Sequence, residues 1–351
     1  MNYKALNNLA TMFFDVAEDF SQKPFLWAKE NGEYVSRSYS EVASQVLSLA
    51  DSLHLLGVKK GDRVVVVAEN RPEWVVADLA IISIGGITVP AYTTNTAEDH
   101  LYILEHSEAN IAIVSGDKLA PRLTDAMNKS ATCRTIISIE DLSMQIEPRL
   151  KHLNWSNLVS PKDKLKINAS KEAANLKRDD VACFIYTSGT GGNPKGVMLT
   201  HGSILANCSS AYDLLTEFGL GDEIFLSLLP LSHSYEHTCG LYFPNSIGAQ
   251  IYYSEGPDKV AQNLQEARPT IMTAVPRLYE ALHDRIQRGV HQSGGFKERL
   301  FNLTLELGRK EKVEKQKIDE DSDQPDLFFN VEYTGLDLNG NRYSLKSEEA
   351  Y

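Results

Sequence analysis

"YTSGTGGNPKGVMLTH" runs from Tyr186 to His201, and it places three glycines within residues 189–192, ringed by hydroxyls and followed by one lysine. Gly189, Gly191 and Gly192 permit positive φ, so successive backbone amides can converge on an anion. Thr187, Ser188 and Thr190 add hydroxyl donors, and Lys195 adds a point charge suited to phosphate. Such a set fits the β- and γ-phosphates of a nucleotide. The plainer alternative is a hairpin loop whose glycines merely turn, and for an isolated Gly/Ser run that alternative is preferred. Six consecutive small or hydroxyl residues and a lysine, directly after the buried-type strand "DDVACFIYT" (179–187), reverse the preference. The stretch is not a Walker A loop, which needs its lysine after the last glycine and a helix starting there. Here Lys195 precedes Gly196, Pro194 intervenes, and "KGVMLTH" resumes extended structure. Nor is it G-x-G-x-x-G, so a dinucleotide fold gains no support.

Working outward, the pattern alternates strand and helix. Ser38 and Glu41 form a capping box for an amphipathic helix in which Val42, Val46, Leu49, Leu53 and Leu56 keep helical spacing, ended by Gly57. "DRVVVVAEN" (62–70) has the unbroken apolar centre of a strand buried on both faces. Pro72 opens a helix, Gly85-Gly86 close it, and "ITVPAY" (87–92) is the next strand, which makes a βαβ unit. A helix from about Ala97 to Ala109 leads to the strand "IAIVS", repeating the unit. Residues 140–178 have weak periodicity and are expected to be an irregular connection. After the glycine loop a helix is expected from about Ser203, with Ser203 as its cap. From residue 224 the alternation returns: "IFLSLLP", a helical region around 235–247, "AQIYYS", "DKVAQNLQEA", "TIMTAV", and a helix opened by Pro276.

The expected fold is α/β, with two adjoining αβ sheet subdomains and a β-patterned C-terminal tail. The expected divisions are a first subdomain and connecting stretch over 1–178, and a second subdomain with the glycine loop over 179–310. A charge-dense linker over 311–325 and a β-like tail over 326–351, built around Asn339-Gly340, complete the chain.

Composition bounds the partners. The chain has 351 residues, 42% of them hydrophobic and 23% charged, which is ordinary for a globular protein. A formal net charge of −12 argues against nucleic acid or an anionic membrane surface as the main partner. Cys133, Cys183, Cys208 and Cys239 are scattered without metal-ligand spacing and read as buried thiols of a reducing compartment. "MNYKALNNLATMFFDVAEDF" lacks the basic start and apolar block of a signal peptide, and no run approaches about 18 uninterrupted apolar residues. Cytoplasmic location is the expectation, with peripheral contact at the inner membrane face left open through a lipid substrate.

The glycine stretch resembles the phosphate-loop signature of the adenylate-forming superfamily, usually T-S-G-T-T-G-x-P-K-G, with Gly191 where a threonine is common. "GVKKGDRVVVVAENRPEWVVADLAIISIGGITVPAYTTNT", "LSLLPLSHSYEHTCGLYFP" and "PTIMTAVPRLYEAL" are similar to the same superfamily, in the manner of bacterial long-chain fatty acid–CoA ligases. The resemblance spans about residues 5–310. It implies activation of a fatty acid with ATP to an acyl-adenylate, then transfer of the acyl group to the thiol of CoA. It implies that Thr187, Ser188, Gly189, Thr190, Gly191, Gly192 and Lys195 hold the nucleotide phosphates. Thr190 is the implied contact to Mg²⁺, and His233 of "PLSH" is the catalytic histidine beside the acyl carbonyl. His237 falls where some relatives place an aromatic gate, although a structural role fits it better. Tyr235 and Tyr242 read as wall or core residues, Trp74 as core, and Arg277 as either a phosphate contact or a solvated helix start.

This sequence departs from the superfamily pattern after residue 310. A glycine-rich adenine-binding segment, a Y-G-x-T-E type motif, a ribose-binding aspartate and a small C-terminal domain with its lysine are not found. The expectation is an N-terminal portion of such a ligase with little or no turnover alone. The alternatives are a non-catalytic nucleotide- or fatty-acid-binding module, or a ligase for aryl or bile acids.

Overall fold

The computed structural model describes residues 2–161, 165–187 and 193–276, scattered positions between 280 and 303, and the strand residues 333–336 and 342–345. Ser188–Gly192, Arg277, the charged linker and the Asn339-Gly340 turn lie outside the described residues.

The chain opens with helix α1 (Leu9–Asp19), capped by the Asn8 side chain, which accepts from Thr11 N–H. Strands β1 (Pro24–Glu30) and β2 (Glu33–Ser38) follow as an antiparallel pair. Helix α2 (Tyr39–Leu55) starts at Ser38, whose capping box with Glu41 forms as its spacing requires. Strand β3 (Arg63–Val67), helix α3 (Pro72–Ser83) and strand β4 (Ile87–Pro90) make the first βαβ unit. Helix α4 (Ala97–Ser107), strand β5 (Ile111–Val114), helix α5 (Ala120–Lys129) and strand β6 (Thr135–Ser138) extend it.

The stretch expected to be irregular holds strand β7 (Lys151–Asn154) and the short helices α6 (Trp155–Val159) and α7 (Ala169–Ala173). Strands β8 (Val181–Thr187) and β9 (Lys195–Thr200) form the hairpin that carries the glycine loop. Helix α8 (His201–Thr216) starts two residues before the expected position. Thr200 is the cap, accepting from Ser203 N–H, while the Ser203 hydroxyl donates back to the Thr200 carbonyl. Strand β10 (Ile224–Ser227) leads to a π-helix (Glu236–Tyr242) that continues as α9 (Phe243–Ser246). Strand β11 (Gln250–Tyr253), helix α10 (Val260–Ala267) and strand β12 (Ile271–Met272) complete this part. The last strands, β13 (Tyr333–Leu336) and β14 (Arg342–Leu345), pair with each other.

Two compact units are distinguished: Met1–Thr273 with Gly335–Asn341, and Ala274–Thr334 with Arg342–Tyr351. Within the first, a seven-stranded sheet runs β7-β6-β5-β3-β4-β8-β9, parallel except for the final hairpin. A five-stranded sheet runs β12-β10-β11-β1-β2. Strand membership crosses residue 178 in both directions, because β8 and β9 finish the larger sheet while β1 and β2 finish the smaller.

The "VVVV" run shows why the larger sheet is covered on both faces. Val64 and Val66 join the core shared with α1, α2, α3 and the second sheet, whereas Val65 and Val67 face Ile103, Leu104, Leu123 and Met127 of α4 and α5. Helix α3 is buried on every side, as its apolar sequence around the whole circumference demands. Its one acid in the second half, Asp78, therefore needs internal partners. It finds them in His237 Nε2 at 2.8 Å and the Tyr242 hydroxyl at 2.6 Å. Among the described residues no helix is long and apolar enough to cross a membrane.

Candidate active site

β8 lies beside β4 and parallel to it, so the glycine loop leaves the sheet at its carboxyl edge, where open α/β sheets bind ligands. Thr187 and Lys195 face each other in the register of the hairpin, both exposed at the base of the loop. Each arm is tied to α4. On the exit arm, the Tyr102 hydroxyl donates to the Pro194 carbonyl at 2.9 Å. On the entry arm, His106 Nδ1 and the Tyr186 hydroxyl are hydrogen-bonded at 2.8 Å, and the Tyr102 and His106 rings stack 5.2 Å apart. A Cβ at Gly196 would lie 3.2 Å from the Tyr186 ring, a tight approach to that side chain. Burial pushes the Tyr186 phenol well up, so it remains a neutral donor or acceptor.

A cavity of about 540 Å³ opens over these ends. Thr187 and Pro194 from the hairpin, Tyr92 and Asn95 after β4, Ile103 from α4, and His233 after β10 contribute to its wall. Both sheets thus supply the site. Asp99 also lines it; the amide and hydroxyl of Thr96, held in a capping box, keep its carboxyl below the usual carboxylate range.

His233 is exposed, yet its ring is oriented. The Tyr235 N–H donates to His233 Nδ1 at 3.2 Å, which leaves Nε2 as the proton-bearing nitrogen of the neutral ring. His233 N–H donates to the Pro230 carbonyl, and its own carbonyl accepts from His237 N–H, both at 2.9 Å. The histidine presents a donor, the form suited to meet a carboxylate or phosphoryl oxygen.

The structure therefore brings Thr187 and His233 to one cavity and sets Lys195 opposite Thr187, off the cavity wall. Ser188, Gly189, Thr190, Gly191 and Gly192 lie outside the described residues. His237 is buried, 5.2 Å edge-on from the Trp74 ring, with its Nδ1 3.8 Å from Cys183 Sγ. Burial opposes ionisation of Asp78, but His237 and Tyr242 outweigh it and hold the carboxyl low. Tyr242 and Trp74 are core. Sequence reasoning missed Tyr92, Asn95, Asp99 and Ile103. Only their place, just past a strand and at the start of a helix beside the glycine loop, could have signalled them.

A second cavity of about 440 Å³ sits at the switch point, past the ends of β3 and β5. Its arginines are already committed: Arg71 pairs with Glu73 at 2.7 Å and with Glu140 at 2.6 Å, and Arg37 pairs with Glu73. Glu30, Glu69 and Glu255 line it as well, so acids surround these paired arginines. Among the described residues, no group of three or more His, Cys, Asp or Glu side chains could hold a metal ion.

Comparison with known proteins bears on the family and the fold. The family described as "AMP-binding enzyme" matches residues 13–325. "Long chain acyl-CoA synthetase 3" of Arabidopsis thaliana is 30% identical over 294 residues, 80% of this chain and 43% of that protein. "Fatty acyl-CoA synthetase A" of Dictyostelium discoideum is 29% identical over 279 residues, 79% of this chain and 41% of that protein. Among solved structures, a benzoate CoA ligase from Burkholderia xenovorans superposes with a TM-score of 0.62 at 27% identity, covering 78% of this chain and 51% of that one. A long-chain-fatty-acid-CoA ligase from Archaeoglobus fulgidus gives a TM-score of 0.63 at 24% identity, covering 79% and 53%. The chain spans less than half the length of these two curated relatives. With a family match that covers most of its residues and a sheet pair of the same fold, the chain belongs to the AMP-binding enzyme family.

Proposed function

We propose that the chain binds ATP through the β8–β9 loop and activates a long-chain fatty acid as its acyl-adenylate, with CoA as the acceptor in the following half-reaction. A carboxylate oxygen of the fatty acid attacks the α-phosphorus, the bond to the leaving pyrophosphate breaks, and acyl-AMP remains. The CoA thiolate then attacks the acyl carbon and AMP departs. Neither half needs a covalent enzyme intermediate, so oriented donors carry the catalysis. Lys195, with the loop amides and hydroxyls of residues 187–192, would offset charge on the departing pyrophosphate. Thr190 would hold Mg²⁺, which would offset more of that negative charge. His233, donating from Nε2, would orient the carboxylate and stabilise charge on the oxygen between carbonyl and phosphorus.

The observation that carries this reading is the meeting of Thr187 and His233, from two different sheets, on one cavity wall. The names of the similar proteins favour a long acyl chain. Cytoplasmic location, with the lipid substrate drawn from a membrane surface, fits the same reading.

Isothermal titration of the chain with ATP and Mg²⁺, and separately with palmitate, tests it. The expected result is saturable ATP binding that Lys195→Ala weakens roughly tenfold to a hundredfold, the range for losing a charge-assisted hydrogen bond. Absence of ATP binding by the intact chain would contradict the reading. Pyrophosphate release with palmitate and CoA is expected to be slight for this chain alone, and robust release would contradict that expectation.

A further inference from the structure

Asn70 stands in the loop between β3 and α3, on the larger sheet, yet its side chain is spent on the other sheet. Its Nδ2 donates to the Leu229 carbonyl at 2.7 Å and to Ser227 Oγ at 3.1 Å, and its Oδ1 accepts from Leu231 N–H at 3.0 Å. A carboxamide has the donor and acceptor of a peptide group, so it grips Leu229 and Leu231 as a neighbouring strand would. Those residues leave β10 and turn through Pro230 directly into His233. A second tie holds the far flank. Ser227 Oγ donates to Glu236 Oε1 at 2.6 Å, and Thr273 Oγ1 donates to Glu236 Oε2 at 2.5 Å. Glu236 is fully buried at the start of the π-helix, three residues past His233.

We propose that Asn70 is a positioning residue for His233, fixing the segment 229–231 so that the imidazole keeps its Nε2–H tautomer aimed by the Tyr235 amide. The geometry of the bonds stands by itself; the consequence for acyl-adenylate binding rests on the functional reading above. The grip is short and two-sided, and it joins the two sheets; Asn70 itself lines the second cavity, at the switch point, so it reaches His233 only through the segment it holds.

The test uses the full chain with ¹³C/¹⁵N-labelled histidine, and His233→Gln assigns the signals. In Asn70→Ala, the His233 ring nitrogens are expected to move toward tautomer-averaged shifts, while the buried His201 and His237 signals stay in place. Affinity for palmitoyl-sulfamoyl-adenosine, a non-reacting adenylate mimic, is expected to fall about tenfold, the scale of one lost buried hydrogen-bond partner. If Asn70→Ala fails to fold, Asn70→Asp, which keeps the acceptor for Leu231 but loses the donor for Leu229, is read in its place with the same expectation. Unmoved His233 signals would overturn the assignment, as would equal movement of His201 and His237. A shifted His233 signal in a chain that binds no adenylate mimic would uphold the positioning role and refute the functional reading.

Discussion

Glu236 ends with its carboxyl buried between two hydroxyls, and burial pushes it up to about 7 from its ordinary 4.5 against the hydrogen bonds of Ser227 and Thr273. The native state therefore holds this proton between pH 4.5 and 7 while the unfolded chain releases it. Stability contributed by the group is full below about 4.5 and is lost as pH rises toward 7, by about 3 kcal/mol in all. His100 and His201, which burial holds neutral down to about 4, tilt stability the opposite way below pH 6.5. The informative quantity is thus the difference between Glu236→Gln and the parent in urea unfolding, expected to grow in favour of Gln from pH 5 to 7.5. A flat difference would show that the carboxyl ionises normally. Asp78 is the opposite case, a carboxylate kept charged by His237 and Tyr242. Asp78→Ala is expected to cost about 3–5 kcal/mol in the same measurement, because it strands both partners in the core. A sequence shows neither effect: "WVVADLA" displays an acid in an apolar helix, but not the histidine 159 positions away that explains it.

At the scale of elements, local signals read well where they were strong. The Ser38–Glu41 box, the Pro72 start and the buried β3 run all formed where their chemistry placed them. Ser38→Ala is accordingly expected to lower stability by about 1 kcal/mol, read as a shift in the urea midpoint. Three features were illegible for physical reasons. β7 is a four-residue edge strand and α6 and α7 are five residues each, too short for a period to show. The π-helix differs from an α-helix only in which carbonyl each amide chooses, and within it a Cβ on Gly240 would collide with the Glu236 carboxyl. The tie from α4 to the glycine loop joins residues far apart in sequence, so no spacing announces Tyr102. Tyr102→Phe removes only the bond to Pro194. It is expected to speed hydrogen exchange at amides 195–197 and to weaken ATP binding roughly threefold to tenfold. Unchanged exchange would show that the ring stack alone holds the hairpin.

At the scale of the whole molecule, the two sheets cannot be cut apart along the chain. The larger borrows β8 and β9 from after residue 178, the smaller borrows β1 and β2 from before it, and one core runs through both. A fragment of residues 179–310 alone would leave β8 without β4 and β11 without β1. It is expected to give the narrow amide dispersion of an unfolded chain in ¹H–¹⁵N spectra; a dispersed spectrum would contradict the shared core. The same interleaving explains how His233 and Thr187, on different sheets, come to one cavity, which no reading of motifs one at a time could show. The most direct test of the central claim is a crystal structure of the chain soaked with ATP and Mg²⁺. The account predicts β- and γ-phosphate oxygens within hydrogen-bond distance of the backbone amides of residues 188–192, with Lys195 Nζ on the same phosphates. Amides turned into the protein, or nucleotide bound elsewhere with the loop empty, would contradict it.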